Sequence, residues 1–126
     1  MPDTNANQRL YPQPEAQKPG CGFPVMRIVA VFSLASGVLL HLAKDALKVH
    51  ERTLFHRLWE YFEAGDVVLA DRGFCSFADF YLLLQRKVDS VMRKHQRRTK
   101  GLRLIKRLGK DDRLVAGTKA GSAPCG

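Results

Sequence analysis

Asp71 is the side chain in this sequence best placed to do chemistry. It closes the apolar run Asp66-Val67-Val68-Leu69-Ala70 and is followed at once by Arg72-Gly73-Phe74-Cys75. A carboxylate just past a buried parallel strand, where the chain turns toward a helix, lies in the crevice where open α/β sheets bind ligands. Gly73 lets the backbone turn tightly there. The same residue has a plain structural use, organising the turn or pairing with Arg72, and residue type alone leaves both uses open. Arg72 is ambiguous in the same way: it can reach a phosphate or hold Asp71 in place.

The second candidate is a basic segment. From Arg86 to Arg113 there are 12 Lys/Arg against Asp89, Asp111 and Asp112. The densest part holds Arg93, Lys94, His95, Arg97, Arg98 and Lys100. Such side chains can clamp a DNA backbone with salt-dependent, largely sequence-independent affinity. A solvated charged surface is the alternative. Charge along the whole chain favours the first reading. The formal net charge is +9, and it is uneven: residues 1–64 carry 7 Lys/Arg and 6 Asp/Glu, residues 65–126 carry 14 and 6. That asymmetry is the footprint of a nucleic-acid or anionic-surface partner.

Other constellations lead nowhere. Gly20-Cys21-Gly22 lacks the Lys-Ser/Thr and helix of a phosphate-binding loop. His50 and His56 are six apart and, with Cys21 and Cys75, make no zinc spacing. Three cysteines, Cys21, Cys75 and Cys125, without a C-x-x-C pair argue for reduced thiols in a cytosolic protein. Met1-Pro2-Asp3-Thr4-Asn5 has neither a basic n-region nor an apolar h-region, so no signal peptide is expected. The apolar stretch Ile28 to Ala43 has 16 residues, short of the roughly 20 that cross a bilayer.

The elements that must hold Asp71 follow from hydrophobic period. Residues 1–24, rich in Pro, Gln, Asn and Gly, read as an extended loop. Val25 to Leu34 is β-branched and nearly continuous, which predicts a strand buried on both faces. Ala35-Ser36-Gly37 is a turn signal, and Val38 to Ala43 reads as a second strand in a hairpin. From His50 the period changes to 3.6, with Leu54, Phe55, Leu58, Trp59 and Phe62 on one helical face and Gly65 as the stop. Trp59 and Phe62 read as core, not as base-stacking residues.

After the Asp71 strand, Ser76 with Asp79 reads as an N-capping pair, and Phe77, Phe80, Leu83 and Leu84 as the apolar face of the next helix. Val88 to Met92 reads as a further strand. The order strand, strand, helix, strand, helix, strand predicts an α/β fold with a mixed sheet and packed helices. Domain organisation is then 1–24 extended loop, 25–113 the folded domain and 114–126 a disordered tail.

The segment Gly65 to Asp79, Gly-Asp-Val-Val-Leu-Ala-Asp-Arg-Gly-Phe-Cys-Ser-Phe-Ala-Asp, resembles the signature around the second catalytic aspartate of IS4-type DDE transposases. Two flanking blocks agree: Asn7-Gln8 through Gln17-Lys18-Pro19-Gly20-Cys21-Gly22-Phe23-Pro24-Val25-Met26, and Val91-Met92-Arg93-Lys94-His95-Gln96. The resemblance covers residues 1 to about 113. It implies a ribonuclease-H-like fold that holds an Asp, an Asp and a Glu around two magnesium ions. It also implies phosphoryl transfer on DNA, with metals activating water or a 3′-hydroxyl for in-line attack.

By the same resemblance Asp71 is catalytic and a metal ligand. Arg72, Arg93, Lys94, His95, Arg97, Arg98 and Lys100 are expected to bind DNA, both transposon ends and target. The first aspartate would precede the stretch matched by Met1-Pro2-Asp3-Thr4, and Asp3 is not its equivalent. The glutamate would lie downstream of Asp71, whereas Glu15, Glu51, Glu60 and Glu63 all lie upstream. The expectation is therefore an incomplete ribonuclease-H-like mixed sheet, lacking the first catalytic strand and the C-terminal catalytic helix. Such a truncated piece would be inactive alone. Its expected setting is the bacterial cytoplasm, at the nucleoid, with no membrane partner and with oligomers possible for the intact family. The alternative is a small basic nucleic-acid-binding protein without catalytic activity.

Overall fold

A computed structural model describes residues 1–94 and 102–117 of the chain. They fall into two compact units, Met1–Ala64 and Gly65–Gly126.

The first unit opens with structure where an extended loop is expected. Helix α1 spans Asn5–Leu10, capped by the Thr4 hydroxyl, which accepts from the Asn7 amide at 3.2 Å. Two glutamine side chains organise the loop between this helix and the first strand. Gln13 Oε1 accepts from the amides of Gly20 and Gly22, both at 3.1 Å, while its Nε2 donates to the carbonyls of Gln17 and Lys18. Gln8 donates to Asp3 and to the Gly22 carbonyl and accepts from the Gln13 amide. An amide side chain has both donors and an acceptor, so it can replace secondary structure as the partner of loop backbone. This satisfaction by side chains carries no hydrophobic period, and so leaves no mark in a pattern reading.

Strands β1 (Met26–Phe32) and β2 (Leu39–Ala46) form the expected antiparallel hairpin, with Val29 opposite Ala43 and a register shift between Val31 and Phe32. The turn places Gly37 at φ +71, and its amide donates to the Ser33 carbonyl at 2.7 Å. Burial on both faces does not occur. Val29, Val31, His41 and Ala43 are half-buried, whereas Ile28, Phe32, Leu40 and Leu42 are exposed. The reason is that helix α2 (Glu51–Leu58) packs on one face of a two-stranded sheet.

The buried positions of α2 and the one-turn 3-10 segment Trp59–Tyr61 are Leu54, Phe55, Leu58 and Trp59, as their spacing predicts. Phe55 meets Trp59 edge-to-face at 5.8 Å. Gly65 is not the stop of this helix. The chain is already extended at Phe62, and Gly65, at φ +97, turns toward the next strand and donates to the Lys87 carbonyl. No described helix is long and apolar enough to cross a membrane, and the Ile28–Ala43 stretch forms most of the hairpin.

The second unit contains a strand-helix-strand crossover. Strands β3 (Val67–Ala70) and β4 (Asp89–Met92) pair in parallel, in register Val67 to Asp89 through Ala70 to Met92. Helix α3 (Phe77–Gln85) connects them and packs against β4. Its buried positions are Asp79 and Leu83, while Phe77 and Leu84 are exposed, so the apolar face predicted from spacing is only partly the buried one. Ser76 stands at the N-cap, but its hydroxyl makes no capping bond. The helix ends in a left-handed residue, Lys87 at φ +60, with the Val88 amide reaching back to the Leu83 carbonyl and Val88 itself buried. That is the helix ending usually built on glycine.

β3 is likewise open on one side, with Val67 and Leu69 exposed. Strands β5 (Leu102–Arg107) and β6 (Arg113–Gly117) form an antiparallel ribbon. The boundary that puts 114–126 in a disordered tail is thus displaced, since β6 runs to Gly117; residues 118–126 lie outside the described ones. A single mixed sheet is not what the described strands form. They make three two-stranded sheets, in a mixed α/β arrangement compatible with part of a ribonuclease-H-like fold.

Candidate functional site

Asp71 sits at the carboxyl end of β3, in extended conformation, as the N-cap of the short 3-10 turn Arg72–Phe74. Its Oδ1 accepts from the Arg72 backbone amide at 2.7 Å. Both residues are exposed. One oxygen organises the turn, as the structural reading has it, and Oδ2 makes no hydrogen bond or ion pair among the described residues. Arg72 holds Asp71 through its amide, and its guanidinium forms no ion pair with that carboxylate among the described residues. The turn closes through the Phe74 amide on the Asp71 carbonyl and the Cys75 amide on that of Arg72. Gly73 is not at positive φ, so a 3-10 turn, which any residue can adopt, replaces the glycine-dependent one expected.

Parallel pairing brings a second group to this end of the sheet. Ala70 is in register with Met92, so the next residues along the two strands are Asp71 and Arg93. Arg72 and Lys94 come after them. All four are exposed. A carboxylate and cations at the carboxyl ends of neighbouring parallel strands are suited to a metal ion and to a phosphate respectively. The remaining basic residues expected at this place, His95, Arg97, Arg98 and Lys100, lie outside the described residues.

The donor set is short of a metal centre. Among the described residues no three His, Cys, Asp or Glu side chains gather where a cation could be held. Asp79, eight positions after Asp71, is buried in the first turn of α3. A carboxylate there is stabilised by the helix N-terminus, a structural use that the capping spacing partly signals. Asp71 alone offers one hard oxygen ligand, and two divalent ions need several anionic ligands converging on them. A two-metal site does not fit these residues by themselves. The described cysteines, Cys21 and Cys75, form no disulfide.

The described geometry is an exposed carboxylate on a strand-end turn of an α/β protein, with cations at the same end of the neighbouring parallel strand. The class becomes definite by comparison with known families. Residues 6–118 match the transposase DDE domain, and the chain belongs to that family. No curated protein matches the chain, nor does any solved structure. The function that goes with the family is transposition, its substrate is DNA, and its chemistry depends on divalent metal.

Proposed function

We propose that this chain is a partial catalytic domain of an IS4-type transposase, in which Asp71 is one of three metal-binding carboxylates and magnesium the physiological metal. The observation that carries the reading is the family match over residues 6–118 together with the place of Asp71 at the carboxyl end of parallel strand β3. Arg72, Arg93 and Lys94 share that end of the sheet and suit the phosphates of a DNA strand. The basic residues His95, Arg97, Arg98 and Lys100 continue the same positive segment.

Truncation of a larger catalytic domain accounts for two features at once. The described sheets stop at two strands, so β1 and β3 each have only one neighbour. One more strand, ending in the first aspartate, would extend such a sheet. The described residues also present a single carboxylate at the strand end where the chemistry needs three. The chain alone is accordingly inactive in DNA cleavage, and acts by binding DNA at the bacterial nucleoid.

The experiment is a cleavage and strand-transfer assay on plasmid DNA, with the chain alone, in magnesium and in manganese. No metal-dependent product is expected. Metal-dependent nicking that Asp71→Asn abolishes would overturn the proposed inactivity while supporting Asp71. Nicking that survives Asp71→Asn would overturn both.

A further inference from the structure

The ribbon β5–β6 carries a surface separate from the strand end at Asp71. Every residue from Leu102 to Val115 is exposed, the apolar ones included: Leu104 at 55%, Ile105 at 57% and Leu114 at 49%. A two-stranded ribbon with both faces in water is marginal by itself. Its cations are Arg103, Lys106, Arg107, Lys110 and Arg113, against Asp111 and Asp112 in the turn. Among the described residues none of these five cations is in an ion pair.

The register divides the cations between the two faces. Arg103 pairs with Ala116, Leu104 with Val115, Lys106 with Leu114, and Arg107 with Arg113, with a shift between Leu104 and Lys106. Paired residues share a face, and neighbours along a strand alternate. Arg107 and Arg113 therefore share one face with Leu104 and Val115. Arg103 and Lys106 share the other with Leu114 and Ala116. Without the shift at Ile105, Arg103 and Arg107 would lie on the same side.

Two arginines directly opposite one another repel and destabilise the hairpin. Arg107 leans away toward the turn, its Nε and Nη2 donating to the carbonyls of Gly109 and Lys110, both at 3.3 Å. Arg107 is thereby tied to the turn, whereas the Arg113 guanidinium has no hydrogen bond or ion pair among the described residues. An anion bridging the two guanidinium groups would turn the repulsion into binding.

We propose that the β5–β6 ribbon is a DNA-gripping arm that enters the major groove of a duplex, with Arg107 and Arg113 on one groove wall and Arg103 and Lys106 on the other. The inference rests on DNA being the partner, as the family reading has it. The major groove is about 12 Å wide and admits a two-stranded ribbon. It has a phosphate backbone on each side, which matches cations on both faces. A membrane-surface element instead segregates its cations from one apolar face, and this ribbon does not.

The test uses the full chain and fluorescence anisotropy of a labelled duplex of about 20 base pairs, between roughly 50 and 200 mM salt. Each phosphate contact contributes about 0.9 to the slope of log affinity against log salt. The variant Arg103→Ala/Lys106→Ala/Arg107→Ala/Arg113→Ala is expected to flatten the slope by roughly three to four, with an unchanged circular dichroism spectrum. Arg113→Glu supplies the sharper result. It replaces repulsion by attraction, so amide exchange in β5 and β6 is expected to slow while duplex affinity falls several-fold.

An unchanged slope in the quadruple variant overturns the proposal. So does a loss that appears with phosphatidylserine vesicles or polyglutamate but not with the duplex. Absence of duplex binding by the wild-type chain overturns the ribbon's role and leaves the place of Asp71 to its own metal-based test.

Discussion

Replacing Leu54 by alanine should remove a large share of the first unit's stability, whereas Leu42→Ala should barely register. Leu54 is fully buried, at 0% exposure, on the face of α2 that packs against the β1–β2 hairpin; Leu42 is 48% exposed on the strand opposite Ala30. Truncating a fully buried leucine costs about 2–5 kcal/mol, counting both lost transfer and the cavity left behind. Truncating a half-exposed one costs about 1 kcal/mol or less by area. A folded piece of some 64 residues commands only about 3–10 kcal/mol in total, so Leu54→Ala takes roughly a fifth of it at the least.

The assay is built in. Trp59 is the only tryptophan in the sequence, and it is buried, edge-on to Phe55 in the same cluster. Its fluorescence during urea unfolding reports this core directly. With a slope of about 1 kcal/mol per molar urea, the midpoint should fall by about 2 M or more for Leu54→Ala, and by less than about 1 M for Leu42→Ala. Equal shifts would refute the assignment of one covered and one open sheet face. Shifts in the reverse order would mean that the open face is the one packed in solution.

Three further outcomes rest on single contacts. Asp71→Ala removes the acceptor for the Arg72 amide and should cost about 0.5–2 kcal/mol in thermal unfolding, while Asp71→Asn keeps an oxygen there and should cost little; equal losses would mean the charge, not the cap, holds the turn. Asp45 accepts a 2.7 Å hydrogen bond from Arg57 and another from the Ala46 amide, and these hold its carboxyl below the ordinary 3.8. A lowered folded value makes this contribution fully present above about pH 3.8 and lost as pH falls through the folded value. An NMR titration of Asp45 should move up toward 3.8 in Arg57→Met, and an unmoved midpoint would discount the ion pair. A Cβ on Gly22 would run into the side chains of Gln17 and Gln13. Gly22→Ala should therefore speed amide exchange at Gly20, whose amide is held by Gln13, and slow or equal exchange would count against the glutamine knot.

How far the sequence discloses the molecule depends on which force makes each part. The α2 core was legible because Leu54, Phe55, Leu58 and Trp59 recur at helical spacing, and burial follows that spacing directly. The strand ending at Asp71 and the crossover to β4 were legible for a related reason: short apolar runs bounded by turn residues have few other uses. The glutamine-built arm was not legible, because Gln8 and Gln13 organise backbone through hydrogen bonds that leave no periodic trace. Nor was the open face of β1. Val25 to Leu34 is apolar but for Arg27 and Ser33, which fits a strand with neighbours on both faces, and this hairpin has a helix on one face only.

The candidate site divides similarly. Asp71 stood out by type and position, and Arg72 with it. That Arg93 and Lys94 join them depends on parallel register, Ala70 beside Met92, which no residue pattern specifies. The ribbon was hidden twice over. Its strands mix cations and aliphatics without a regular period, so the segment reads as a charged surface, and the shift at Ile105 redistributes the arginines between faces.

Asp71 is proposed above as a metal-facing carboxylate of this transposase domain. The most direct measurement is amide NMR of the full chain during titration with Mn²⁺, whose paramagnetism broadens nearby signals. Selective broadening of Ala70, Arg72 and Gly73, reversed by excess Mg²⁺ and lost in Asp71→Asn, is the predicted result. Broadening centred on another carboxylate, such as Asp111 or Asp112 in the ribbon turn, or left unchanged by Asp71→Asn, would contradict it.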